Sequence, residues 1–213
     1  MADLTIECVD VHPERYGTSP TMIFRLRIIE NSATPIHAIA LRVQIRIEPQ
    51  RRRYNPDESE LLTYLFGDPS RWAETLKPLQ FAMVSAMVPS FIGSTEIDVP
   101  VPCTYDLEVA TGKYFHALED GIVPFVLLFS GTAFSKGQQG FWVDQVPWHL
   151  EADYRMPIET WQQMMNLYFP NEGWIRLPHD TIDALMRYKA KHAIISWDAA
   201  MEKLLAQAGE AAP

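Results

Sequence analysis

Apolar residues occupy every second position from Ile39 to Ile47 (Ile39, Leu41, Val43, Ile45, Ile47), with Ala40, Arg42, Gln44 and Arg46 between them. A period of two predicts a β-strand with one buried face and one face toward water or a partner. Glu48-Pro49 ends the run, because proline has no N–H to give a ladder, and the chain passes into Arg51-Arg52-Arg53. Leu4–Val11 and Met22–Ile29 alternate in the same way. The Asn31–Pro35 segment has turn chemistry, so Met22–Ile29 is expected to pair antiparallel with the Ile36–Ile47 strand. That pairing would put Arg25, Arg27, Arg42 and Arg46 on one outer face.

Further strands are expected over Gln80–Val88, Thr95–Val101, Tyr105–Val109, Lys113–Leu118, Ile122–Phe134 and Gly140–His149, with Thr111-Gly112 as a hairpin turn. Phe125–Phe129 is apolar on both faces, as in a central strand. Between these runs lies a helical insertion at about 56–77. It starts on Pro56 and the carboxylates Asp57, Glu58 and Glu60, and continues into a short helix capped by Asp68. After Pro157 the period becomes helical. Helices are expected over Ile158–Phe169, over Pro178–His192 with a buried stripe of Ile182, Leu185 and Met186, and over Trp197–Gln207 behind a Ser196 cap. The expected class is α+β: a mainly antiparallel β-sandwich-like body over 1–156, with the helical insertion, and a helical C-terminal region over 157–213.

Composition supports a globular chain. The 213 residues are 47% hydrophobic and 21% charged, enough to bury a large core. The formal net charge of −9 opposes general binding to nucleic acid or anionic membranes. No run of eighteen apolar residues occurs and the first residues lack a signal-peptide pattern, so a cytoplasmic protein without membrane insertion is expected. Cys8 and Cys103 sit in β-type surroundings and are expected to be buried thiols.

Candidate chemistry is sparse. Cys103 with His116 or His149 would make a hydrolase nucleophile, but a lone cysteine among β-formers more often packs a core. His179-Asp180 recurs in metal-dependent hydrolases, yet Asp180 suits the first turn of a helix, where the dipole favours a carboxylate. Glycines are scattered, so no phosphate loop is present. No catalytic residue, metal or cofactor is expected. Trp142, Trp148 and Trp161 are interface anchors or core. The most distinctive polar feature is the arginine set: Arg25, Arg27, Arg42 and Arg46, with Arg51, Arg52 and Arg53 downstream. It is either a charge ladder neutralised by Glu30, Glu48 and the Asp57–Glu60 helix, or a docking surface for an acidic protein. Arginine suits docking because its planar fork binds carboxylates bidentately.

The tail over 174–207 resembles a ribbon–helix–helix module, with Trp174 and Arg176 on the strand that would pair in a dimer. Its charge fits DNA poorly: residues 171–213 carry five Lys/Arg against six Asp/Glu, whereas DNA binders need clustered cations. A docking or homodimerisation appendage is preferred to a DNA-binding regulator. Across most of the chain, several strings resemble an uncharacterised bacterial family whose members are encoded beside high-affinity nickel–iron uptake hydrogenases. They are ENSATPIHAIALRVQIRIEPQRRRYNPDESELLTYLFGDPSRW, VSAMVPSF, VPVPCTYDLEVATGKYFHAL, LLFSGTAF, QVPWH, WIRLPHDTIDALMRYK and SWDAAMEKLL. The resemblance implies an accessory or assembly protein whose partner is a hydrogenase subunit or accessory; it supplies no residue roles.

Overall fold

The computed structural model describes residues 3–32, 34–103, 109–137, 140–170, 175 and 177–210. Two antiparallel sheets form the body. The first has β1 (Leu4–Pro13), β2 (Thr21–Glu30) and β5 (Ser94–Pro102), in the order β1-β2-β5. The second has β3 (Ile36–Ile47), β4 (Leu79–Val88), β6 (Ile122–Gly137), β7 (Gly140–Gln145) and β8 (Glu151–Pro157). Its order is β4-β3-β6-β7, with β8 also paired to β6. The long β6 strand holds β7 against its C-terminal half and β8 against its N-terminal half.

The period of two in β3 becomes burial: Ile36, Ile39, Leu41, Val43, Ile45 and Ile47 all face the core. Opposite them are Met22, Phe24, Leu26 and Ile28 of β2. Phe24 lies 5.7 Å from Phe125 and 6.1 Å from Phe81, so rings from both sheets interlock between the layers. Each such side chain contributes roughly 1.5–3 kcal/mol by leaving water. Gly131 permits the closest backbone approach. Its φ is +146°, and a Cβ there would lie 2.1 Å from the Ala40 carbonyl oxygen.

The insertion forms where the sequence predicts it. Asn55 caps α1 (Pro56–Phe66): its side chain accepts from the Glu58 N–H at 2.7 Å, and Glu58 accepts in return from the Asn55 N–H at 3.2 Å. A 3-10 turn at Pro69–Arg71 leads to α2 (Trp72–Thr75).

Three expectations about the body change. First, β2 and β3 do not pair. β2 is flanked by β1 and β5, and β3 by β4 and β6, so neither has a free edge for the other. After Glu30 the chain crosses between sheets. Glu30, buried, anchors it by accepting from the N–H groups of Asp3 (3.2 Å) and Thr34 (2.7 Å) and from the Ser32 hydroxyl (2.6 Å). Second, Val109–His116 is a helix, α3, so Lys113–Leu118 is not a strand and Thr111-Gly112 is not a hairpin. Thr111, Tyr114, Phe115 and Leu118 are buried at helical spacing, and Phe115 stacks on Trp161 at 4.2 Å. The expected Tyr105–Val109 strand falls, up to residue 108, outside the described residues. Third, β8 is an additional strand, and the Gly140–His149 run is a strand only to Gln145.

The chain divides into two compact units, Met1–Asn171 and Glu172–Pro213. α4 (Ile158–Tyr168), read from the sequence as part of the C-terminal region, belongs to the first unit and buries Ile158, Trp161 and Met164 in its core. The second unit contains α5 (His179–Lys191) and α6 (Trp197–Ala208). Ser196 caps α6 by accepting from the Ala199 N–H at 3.1 Å, and Gly209 ends it with φ +82°. The expected buried stripe of α5 is not buried: Ile182 is 37% and Met186 56% exposed. Trp174 and Arg176, the expected ribbon residues, lie outside the described residues. Among the described residues no helix is long and apolar enough to cross a membrane.

Candidate functional site: an arginine cleft

The β3 strand delivers its basic tail to one end of the second sheet. After Ile47 the chain makes a 3-10 turn at Pro49–Arg51. The Tyr54 hydroxyl donates to the Pro49 carbonyl at 2.7 Å and lies 2.9 Å from the Tyr114 hydroxyl. Burial pushes the Tyr54 phenol up to about 12, so it stays a neutral donor.

The three consecutive arginines have three different environments. Arg52 turns inward, with its side chain 9% exposed and that of Glu58 2% exposed. It donates to Glu58 Oε1 at 2.6 Å and to the carbonyls of Asp120 (3.2 Å), Arg53 (3.3 Å) and Ile122 (3.5 Å). Glu58 also accepts from the Glu119 N–H at 3.1 Å. Arg52 lies over the Tyr54 ring at 5.0 Å. This guanidinium ties the end of β3 to the start of α1 and the approach to β6, so its role is structural. Arg51 is exposed and pairs with Asp153 of β8 at 2.7 Å. Arg53 is exposed and has no carboxylate partner among the described residues.

Beside them Arg155 of β8, also exposed and unpaired among the described residues, completes the wall of a cleft of about 600 Å³. The lining holds four arginines (Arg51, Arg52, Arg53, Arg155) against two carboxylates (Glu58, Asp120). Because Glu58 is consumed by Arg52, the cleft is a positive concavity on an acidic chain. Two unpaired, hydrated guanidinium groups at its rim can each take a carboxylate bidentately.

The other arginines do not join it. Arg25 and Arg27 point outward from the first sheet, whereas Arg42 and Arg46 point outward from the second, so the expected common face does not exist. The inner faces of both sheets are used by the core, which sends the two arginine pairs in opposite directions. Arg25 binds Asp98 of β5 through two hydrogen bonds (2.8 and 3.0 Å), and Arg27 binds Glu96 (2.8 and 3.0 Å). The Arg25 hydrogen bond, outweighing slight desolvation, holds the Asp98 carboxyl below its ordinary range. Arg46 donates to the buried Glu48 at 3.0 Å. Glu48 and Glu58 thus serve as counter-ions; Glu30 does not, since it serves the crossover. Arg42 is exposed without a partner among the described residues.

The remaining candidates are dispersed. Cys103 is buried, and burial pushes its thiol up to about 12, which favours a packed thiol over a thiolate nucleophile. His116 and His149 are exposed. His179 lies 3.5 Å from Asp183, not against Asp180, on an exposed helix start. Trp161 is core, while Trp142 and Trp148 are exposed, Trp148 at 91%. Arg155 is the cleft-lining arginine that sequence reasoning misses. A signal for it is present: Ala152, Tyr154 and Met156 alternate with Glu151, Asp153 and Arg155.

Fold and cleft together define an α+β protein whose body has two antiparallel sheets and an arginine-lined concavity. The chain belongs to the family of unknown function DUF6084, whose model matches residues 1–213. No curated protein matches it. Among solved structures, it is similar to a β-glucosidase from Kluyveromyces marxianus, with 8% identity and a TM-score of 0.26, covering 73% of this chain and 15% of that one. It is also similar to β-glucosidase 3B from Thermotoga neapolitana, with 11% identity and a TM-score of 0.25, covering 73% and 17%. The chain thus spans less than a fifth of the length of either enzyme, and likeness at this level carries no argument about activity.

Proposed function

We propose that this protein is a non-catalytic docking protein that grips an acidic segment of a partner in the cleft formed by Arg51, Arg53 and Arg155. The observation that carries this reading is the pair Arg53 and Arg155: unpaired guanidiniums at a concavity, in a chain whose other cleft arginines are held by carboxylates. Exposed arginine costs little to desolvate and accepts carboxylates in a fixed geometry, which suits a reversible interface. The partner class is taken from the resemblance to proteins encoded beside nickel–iron hydrogenases: a hydrogenase subunit or one of its accessories, met in the cytoplasm during assembly.

The test is capture by the tagged full chain from its native host at low salt, with proteins identified by mass spectrometry. Retention of a hydrogenase subunit or accessory by the wild type, and its loss from the Arg53→Ala/Arg155→Ala variant, is the expected result. Recovery of no such protein, or equal recovery by both, refutes the proposal.

A further inference from the structure

Among its described residues the second unit has little interior. α5 buries no residue and α6 buries only Ala200. Chains of about 40 residues ordinarily need a staple, a metal or another subunit to hold a fold. The contacts between the two helices include Lys189 Nζ over the Trp197 ring at 4.2 Å and a hydrogen bond from the Tyr188 hydroxyl to Gln207 Oε1 at 3.4 Å. The apolar residues Ile182 and Met186, one helical turn apart, remain 37% and 56% exposed.

The charges beside that stripe decide what covers it. Asp183 and Arg187 are also one turn apart and run along one flank of Ile182 and Met186. Arg187 has no partner among the described residues. Along α5 the order is acidic first (Asp180, Asp183) and basic last (Arg187, Lys189, Lys191). When two copies of such a helix meet antiparallel, each flank faces its own counterpart running the other way. Asp183 of one copy then meets Arg187 of the other, twice by symmetry, with Ile182 against Met186 between them. A parallel pair would bring Asp183 toward the opposite flank and lose both bridges. Ala190, at the end of the stripe, lets the backbones approach. We infer that α5 is a two-fold, antiparallel seam between two copies of this chain. The seam is independent of the arginine cleft.

The experiment is sedimentation equilibrium of the full chain near neutral pH, with helix content followed by circular dichroism. The wild type is expected to be a dimer, twice the 24.4 kDa chain mass. Asp183→Arg places like charges together at both bridges, and Arg187→Asp does the same with the opposite sign. Each alone is expected to weaken dimerisation by roughly tenfold or more. An equimolar mixture of the two variants is expected to recover the dimer. One copy then brings two cations to the seam and the other two carboxylates, so both bridges re-form. A monomeric wild type overturns the proposal, as does a dimer indifferent to both single reversals. Single variants that weaken without rescue on mixing overturn the antiparallel register. Both sites are on the surface; should either variant lose helix content, Met186→Gln replaces it, with dimer loss expected and an unchanged dimer overturning the seam.

Discussion

At the residue scale, neighbouring arginines do different work, and this is open to measurement. Removing Arg52 leaves Glu58 buried without its counter-ion, so Arg52→Ala should cost about 3–5 kcal/mol in urea unfolding. Arg53→Ala should change stability by less than about 0.5 kcal/mol, since it removes only a solvated side chain. Gly131→Ala forces a methyl into the Ala40 carbonyl at a backbone angle suited to glycine. A loss of about 1–3 kcal/mol is expected from the same measurement. The carboxylates of Glu30 and Asp98 give the sign of the pH dependence. For Glu30, burial pulls upward but the hydrogen bonds from Ser32, Thr34 and Asp3 outweigh it, and its folded pKa lies below the ordinary value. A depressed folded pKa contributes stability above the unfolded value, about 4, and that contribution disappears as pH falls through the folded value. Stability should therefore fall as the pH drops below about 4. Glu30→Gln should flatten that drop in a series of melts at decreasing pH.

At the element scale, legibility depends on whether the deciding force is local. The Ile36–Ile47 strand can be read because its burial follows its own alternation, and α1 because Asn55, Pro56 and Glu58 build a cap within four residues. The partner of β2 cannot. A short turn favours a hairpin, but here the carboxylate of Glu30 binds the turn, β2 pairs with β1 and β5, and β3 pairs with β4 and β6. α3 reads as a strand because Tyr, Phe and Thr favour strands in isolation, while Phe115 is held by Trp161 some fifty residues away. Lys113→Pro separates the two assignments. In a helix it removes the hydrogen bond to Val109 and should cost about 3 kcal/mol or more. Lys113→Val removes only the cation–π contact with Tyr64 and should cost about 1 kcal/mol, and thermal unfolding of both variants checks this. For the candidate site, Arg51–Arg53 are legible as a basic run, whereas the division of labour among them is not. It depends on Glu58, Asp153 and Arg155 arriving from other elements.

At the scale of the molecule, the positive charge resolves into local arrangements. The first sheet neutralises Arg25 and Arg27 across strands, where exposed pairs add little stability, while Arg53 and Arg155 stand unpaired among the described residues at the cleft and Arg42 stands apart from it. The docking proposed for the cleft should show strong salt dependence, since its contacts would be exposed ion pairs. The most direct measurement is the affinity of the proposed partner, a purified hydrogenase subunit or accessory, for the full chain and for Arg53→Glu/Arg155→Glu at about 50 mM and 300 mM salt. Binding is predicted to weaken at high salt, and the charge reversal to weaken it by roughly tenfold or more at low salt. Equal affinities for the two proteins would contradict a docking role for the cleft.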